Sequence, residues 1–165
     1  MLFKGLNNEN LHFDLAYTDY AKLTGYVGQS EITRLSLYLN YKNRQTASSI
    51  LVSDVLKIIE WFENLTINKI VEQKILVFNK QLYFDLLKNN FDRKVIRITY
   101  DTTVPTSGKG AYSLSPGAKR EHFSTIISVK CEMDNLEVER VVKKLKAELQ
   151  IELELGNHIE SKKPK

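Results

Sequence analysis

The side chains best suited to nucleophilic or metal chemistry are a single cysteine, Cys131, and three histidines, His12, His122 and His158. No second histidine or cysteine stands at the spacing that would aim two ligands from one helix face or one turn at a metal. Cys131 ends an apolar alternating stretch, where a thiol serves as a small core side chain, and no neighbour in sequence would lower its pKa. Gly108, Lys109 and Gly110 precede Tyr112 and Ser113 without the strand before and helix after that a phosphate-cradling loop needs. Carboxylates leave one opening. Asp14, Asp19, Asp85 and Asp101 fall on or beside expected strands, and two brought together in space could share general acid–base work. On the polar phase of half-buried strands they read first as solvated groups. Tyr17, Tyr20, Tyr26, Tyr38 and Tyr41 crowd the first quarter of the chain and suit either strand packing or a partner-binding surface.

The elements that would position these residues follow from periodicity. Leu11, Phe13, Leu15 and Tyr17 alternate with polar or small residues, as do Leu35, Leu37, Leu39 and Tyr41, so both stretches are expected strands around a turn at Thr24 to Ser30. Lys42 to Gln45 reads as a hairpin turn into a third strand from Thr46 to Leu51. The period then lengthens. Val55, Ile58, Ile59, Phe62 and Leu65 predict an amphipathic helix over Asp54 to Leu65, with Ser53 as N-cap and Trp61 at the edge of its apolar stripe. Ile75 to Phe78 and Leu82 to Leu87 predict a hairpin, and Val95 to Thr103 a further strand. Pro105, Gly108, Gly110, Pro116 and Gly117 mark a long connection before the strand Phe123 to Cys131. Asp134 and Glu137 stand at capping-box spacing ahead of a second amphipathic helix carrying Leu136, Val138, Val141, Val142, Leu145 and Leu149.

These elements predict an α+β fold: a mainly antiparallel sheet of about six or seven strands with two helices packed on one face. The chain has 165 residues, 42% hydrophobic and 27% charged, with seven Gly and three Pro, which suits one ordered domain over residues 1–155 and a flexible basic tail over 156–165. No internal sequence repeat is apparent. No apolar run reaches the roughly 20 residues of a bilayer-spanning helix, and residues 1–10 lack the apolar core of a secretory signal, so a cytoplasmic address is expected. Of the formal charge of +4, the connection from Pro105 to Glu121 holds +2 and the segment from Gly156 to Lys165 another +2, so the rest of the chain is balanced. Excess charge confined to a loop and a tail reads as solvation before nucleic-acid binding, which would place basic residues and aromatics on one face.

The segments LVSDVLKIIEWFENL (51–65), ILVFNKQLYFDLLKN (75–89), KVIRITYD (94–101) and SVKCEMDNLEVERVVKKLKAELQ (128–150) follow one another in an order that resembles the WapI-type immunity proteins of bacterial polymorphic toxin systems. The resemblance covers roughly residues 30 to 150 and rests on the Trp61–Phe62 pair in the first helix, the apolar hairpin and the Leu-rich closing helix. It implies a small cytoplasmic protein that binds the carboxy-terminal domain of a cognate toxin, often a nuclease, and inhibits it by occlusion. Such a protein needs no catalytic group, metal or cofactor of its own. The expected partner-binding residues are Tyr20, Tyr26, Lys109, Tyr112, Lys119 and Arg120, in the variable opening and the long connection. Phe62, Ile59 and Leu145 are expected to be structural. Two other classes remain open: a nucleic-acid-associated module using the basic loop and tail, and a small enzyme whose acidic groups converge only in the fold.

Overall fold

Apolar alternation along the sequence becomes alternation of burial along the strands. A computed structural model of the chain describes residues 1–17, 34–42, 44–67, 69–77, 80–101 and 126–161. They form β1 (Leu2–Lys4), β2 (Asn10–Ala16), β3 (Arg34–Tyr41), β4 (Arg44–Leu51), α1 (Val52–Thr66), β5 (Lys74–Val77), β6 (Leu82–Asn89), β7 (Arg93–Asp101), β8 (Ile126–Asp134) and α2 (Asn135–Ser161). In β8, Ile127, Val129, Cys131 and Met133 are buried while Ile126, Ser128, Lys130 and Glu132 are exposed. The same two-residue period buries Leu35, Leu37 and Leu39 of β3.

The fold is α+β and antiparallel, as the periodicity predicts, but the sheet differs from the single six- or seven-stranded one expected. Among the described residues, eight strands form two four-stranded meanders, β1-β2-β3-β4 and β5-β6-β7-β8. Each meander is followed by a helix, so the order ββββα occurs twice although the sequence shows no repeat. Three-residue β1 is too short to display a period, which is why it escapes a sequence reading. The two sheets meet where the Leu6 N–H donates to the carbonyl of Lys130 on β8 at 2.8 Å. Gly5 permits that approach: a Cβ there would lie 2.8 Å from Val129 Cγ1 and 2.9 Å from the Glu9 carbonyl oxygen.

The helices close the core. Helix α1 packs on β4 and β5, the outermost strands of the two sheets, while α2 packs on β2, β8 and α1. Val55, Ile58, Ile59, Trp61, Phe62 and Leu65 are buried, an arc of about 160° at 100° per residue, wider than a helix lying on one flat surface requires. Phe62 sits at the centre, with ring centroids 6.2 Å from Phe3, 5.7 Å from Phe84 and 5.1 Å from Trp61. Trp61 lies at the edge of that arc, as expected, and packs there: it is buried, and its indole N–H donates to the Glu72 carbonyl at 2.9 Å.

Helix ends divide the expectations. Glu137 N–H donates to Asp134 Oδ1 at 2.7 Å and Asp134 N–H to Glu137 Oε2 at 3.2 Å, the reciprocal capping box that the spacing predicts. Ser53, by contrast, is not the N-cap of α1. Strand β4 runs directly into the helix, so the extended residue Leu51 occupies the cap with no side-chain hydrogen bond and Ser53 falls inside the first turn. Helix α2 continues to Ser161, past Gly156, where the basic tail was expected to begin.

Candidate partner-binding surface

With both helices on the inner side, the outward residues of β5 to β8 form a surface that neither helix covers. Strand register sets its composition. Lys74 pairs with Asp85, Asp85 with Arg97, and Arg97 with Lys130, so four charged side chains form one row across four strands. The adjacent row is Leu76, Tyr83, Thr99 and Ser128. The first row holds three cations and one carboxylate, with Arg97 and Lys130 adjacent and of like charge.

Electrostatics order one end of this row and leave the other available. Lys74 Nζ lies 3.8 Å from the centroid of the Tyr83 ring and 3.7 Å from Asp85 Oδ1, a cation–π contact and an ion pair on one ammonium. Among the described residues, the side chains of Arg97 and Lys130 have no ion-pair partner, and both are exposed. A shallow recess of about 430 Å³ opens beside Arg97, lined also by Gln73, Lys74, Tyr83, Asp85, Leu86 and Leu87. Thr99 and Ser128, in the adjacent row, share a hydroxyl hydrogen bond of 3.3 Å. Such a surface presents a planar cation and an aromatic face, the side-chain types that recur at the energetic centres of protein interfaces.

The second recess, about 260 Å³, lies between the helices and is apolar, lined by Leu56, Ile59, Leu149 and Leu153 with Lys146 and Glu154 at its margin. Lys146 there bridges to Glu63 of α1.

The chemical residues singled out in the sequence are dispersed. Cys131 points into the core, and burial pushes its thiol up to about 12, leaving it protonated at neutral pH. Asp14 lies in the first sheet, accepting from the Met1 nitrogen at 2.6 Å, whereas Asp85 lies in the second. The described residues contain no group of three or more His, Cys, Asp or Glu side chains able to hold a metal ion. Asp19, and all six expected interface residues, Tyr20, Tyr26, Lys109, Tyr112, Lys119 and Arg120, lie outside the described residues. The row Lys74, Asp85, Arg97 and Lys130 was missed in the sequence. Alternation assigns each residue to the polar phase of its strand, but only the register brings them side by side.

No helix among the described residues is long and apolar enough to cross a membrane. Comparison with family models, curated proteins and solved structures finds no match for this chain.

Proposed function

We propose that this chain is an immunity protein, binding the carboxy-terminal domain of a cognate bacterial toxin in the cytoplasm and blocking it by occlusion. The observation that carries the reading is the outward face of the second sheet, where Arg97, Lys130 and Tyr83 stand on rigid strands and the helices are occupied elsewhere. A surface held by a hydrogen-bonded sheet loses little conformational entropy on binding, which favours affinity without a catalytic group. The order of hydrophobic segments, which resembles that of WapI-type immunity proteins, is the second support for the reading.

A protein partner suits the surface better than a nucleic acid does. Asp85 interrupts the cationic row, and Asp101 and Glu132 stand on the same outward phase of β7 and β8. Phosphate backbones would be repelled by such a mixture, whereas an acidic patch on a folded partner can match it group by group.

The test is co-expression with the toxin domain encoded by a neighbouring reading frame. Rescue of growth, a stable complex, and loss of both in an Arg97→Ala/Lys130→Ala double variant with unchanged thermal stability are expected. Failure of the wild-type chain either to rescue or to bind would count against the reading. Binding to duplex DNA or RNA that weakens steeply with salt, in place of binding to the toxin domain, would favour a nucleic-acid role.

A further inference from the structure

We propose that Phe91, at the tip of the β6–β7 turn, is a pre-organised anchor that inserts into an apolar pocket rimmed by basic side chains on the protein partner; this rests on the inhibitor reading above. The ring is 82% exposed at the end of a long antiparallel hairpin. What distinguishes it from an ordinary surface aromatic is the machinery beneath it. Lys94 is fully buried, and its ammonium donates to the carbonyl oxygens of Asn90 at 2.8 Å and Phe91 at 3.0 Å and to Asn135 Oδ1 at 3.0 Å. Asn135 Nδ2 donates in turn to the same Phe91 carbonyl at 3.1 Å. The Asn90 N–H closes the turn on the Arg93 carbonyl at 2.9 Å.

Burying an ammonium carries a desolvation cost, which lowers the pKa of Lys94 against the opposing pull of the Asp92 carboxylate. An apolar residue at this position would avoid that cost. What Lys94 and Asn135 achieve together is to fix the Phe91 backbone against the start of α2, so the ring projects from a turn that cannot relax around it. An exposed aromatic with its backbone already ordered meets the requirement for an anchor, because the ordering is complete before the partner arrives.

The surroundings specify the pocket. Asp92, Glu132 and Asp134 stand around Arg93, which is paired with Glu132 at 2.8 Å, and Glu137 is hydrogen-bonded to Asp134 beside them. The tip stays acidic even with Lys88 counted at its margin. Leu136, 69% exposed in the first turn of α2, adds apolar area at the same end of the molecule. An apolar centre with an acidic rim is complementary to an apolar pocket edged by Lys and Arg.

The experiment measures affinity for the toxin domain encoded beside this chain. Phe91→Ala should weaken binding on the order of thirty-fold or more, the loss expected of an anchor residue, with an unchanged melting temperature, and Phe91→Tyr should retain most of the affinity. Asp92→Lys should slow association severalfold. Lys94→Met tests the clamp: it should weaken binding in the wild-type background and add no further loss in the Phe91→Ala background. If Lys94→Met does not unfold cooperatively, Asn135→Ala takes its place in the cycle. Phe91→Ala binding within twofold of wild type would overturn the anchor while leaving the inhibitor reading intact. Equal loss from Lys94→Met in both backgrounds would overturn the clamp. Absence of wild-type binding would overturn the inhibitor reading and the anchor together.

Discussion

Truncating Phe62 to Ala should destabilise both ββββα units at once, because this one ring joins them. Phe62 belongs to the helix that ends the first unit, touches Phe3 of β1, and meets Phe84 of β6 in the second unit edge-on at 84°. It is fully buried, so the substitution removes a whole ring from close packing and leaves a cavity bounded by Phe3, Trp61 and Phe84. Burial and cavity terms for such a change come to about 3–5 kcal/mol, within which the lost aromatic pairs account for roughly 0.5–1.5 kcal/mol each. For a chain of this length, roughly 2–4 °C of melting temperature are lost per kcal/mol, so a fall of about 6–20 °C is expected. Urea titration followed in parallel by Trp61 fluorescence and far-UV circular dichroism is the assay. The two probes should give one coincident transition whose midpoint falls while its slope holds. A loss below about 1 kcal/mol, or two separated transitions of which only one moves, would refute a single core spanning both sheets.

Other perturbations probe the remaining structural claims. Native Cys131 should resist Ellman's reagent at pH 8, where a thiol titrating at about 12 is almost wholly protonated as well as buried, and should react promptly once the chain is unfolded; rapid native labelling would contradict its placement. Asp134→Ala should cost about 0.5–2 kcal/mol by opening the capping box of α2, measured as a change in urea midpoint. Glu9 should titrate below the ordinary carboxylate range, held there chiefly by its hydrogen bond to Lys42 and also by that to Tyr41. Its contribution is therefore present above the unfolded-state value and lost as pH falls through the lower folded-state one; Lys42→Ala should move the NMR midpoint upward, and an unmoved midpoint would rule out the pair. Gly5→Ala should cost about 1–3 kcal/mol through overpacking at the junction of the sheets. A compensating Val129→Ala should recover only part of that loss, because the other clash is with the backbone oxygen of Glu9.

The legible part of the fold is the part encoded by local period. Leu35, Leu37 and Leu39, or Val55, Ile58, Ile59, Phe62 and Leu65, announce their inward face without reference to any other element. The capping box is equally local, because Asp134 and Glu137 bond each other across one turn. What escapes depends on relations between distant residues. The junction of the two sheets turns on the contact of Leu6 with Lys130, and nothing in either neighbourhood marks it in advance. The charged row needs three strand registers to be known together, and β6 carries a register shift between Leu86 and Lys88 that no alternation rule would place. Lys94 keeps the inward phase of β7 with Ile96, Ile98 and Tyr100 but puts a charged side chain where that phase is otherwise apolar, and its acceptors come from a turn and a helix start that a sequence reading treats as solvent-facing polar residues.

Charge placement along β7 sets how a partner of the proposed kind would be held. Arg97, in the cationic row, and Arg93, at the base of the acidic tip, are on the same strand β7, separated by about 13 Å at roughly 3.3 Å per residue. A standard protein interface covers roughly 800 Å² on each side, wide enough to include both. Within that footprint the chain presents a cationic row with an aromatic at one end and an apolar anchor in an acidic setting at the other. Either patch alone would accept many partners of opposite charge. Together they would reject a partner of the proposed kind docked in the reversed direction, since reversal sets like charges against each other at both ends. On the proposed reading, orientation would follow from the order of charges along one strand, with the buried lysine holding the Phe91 turn at the end of that strand.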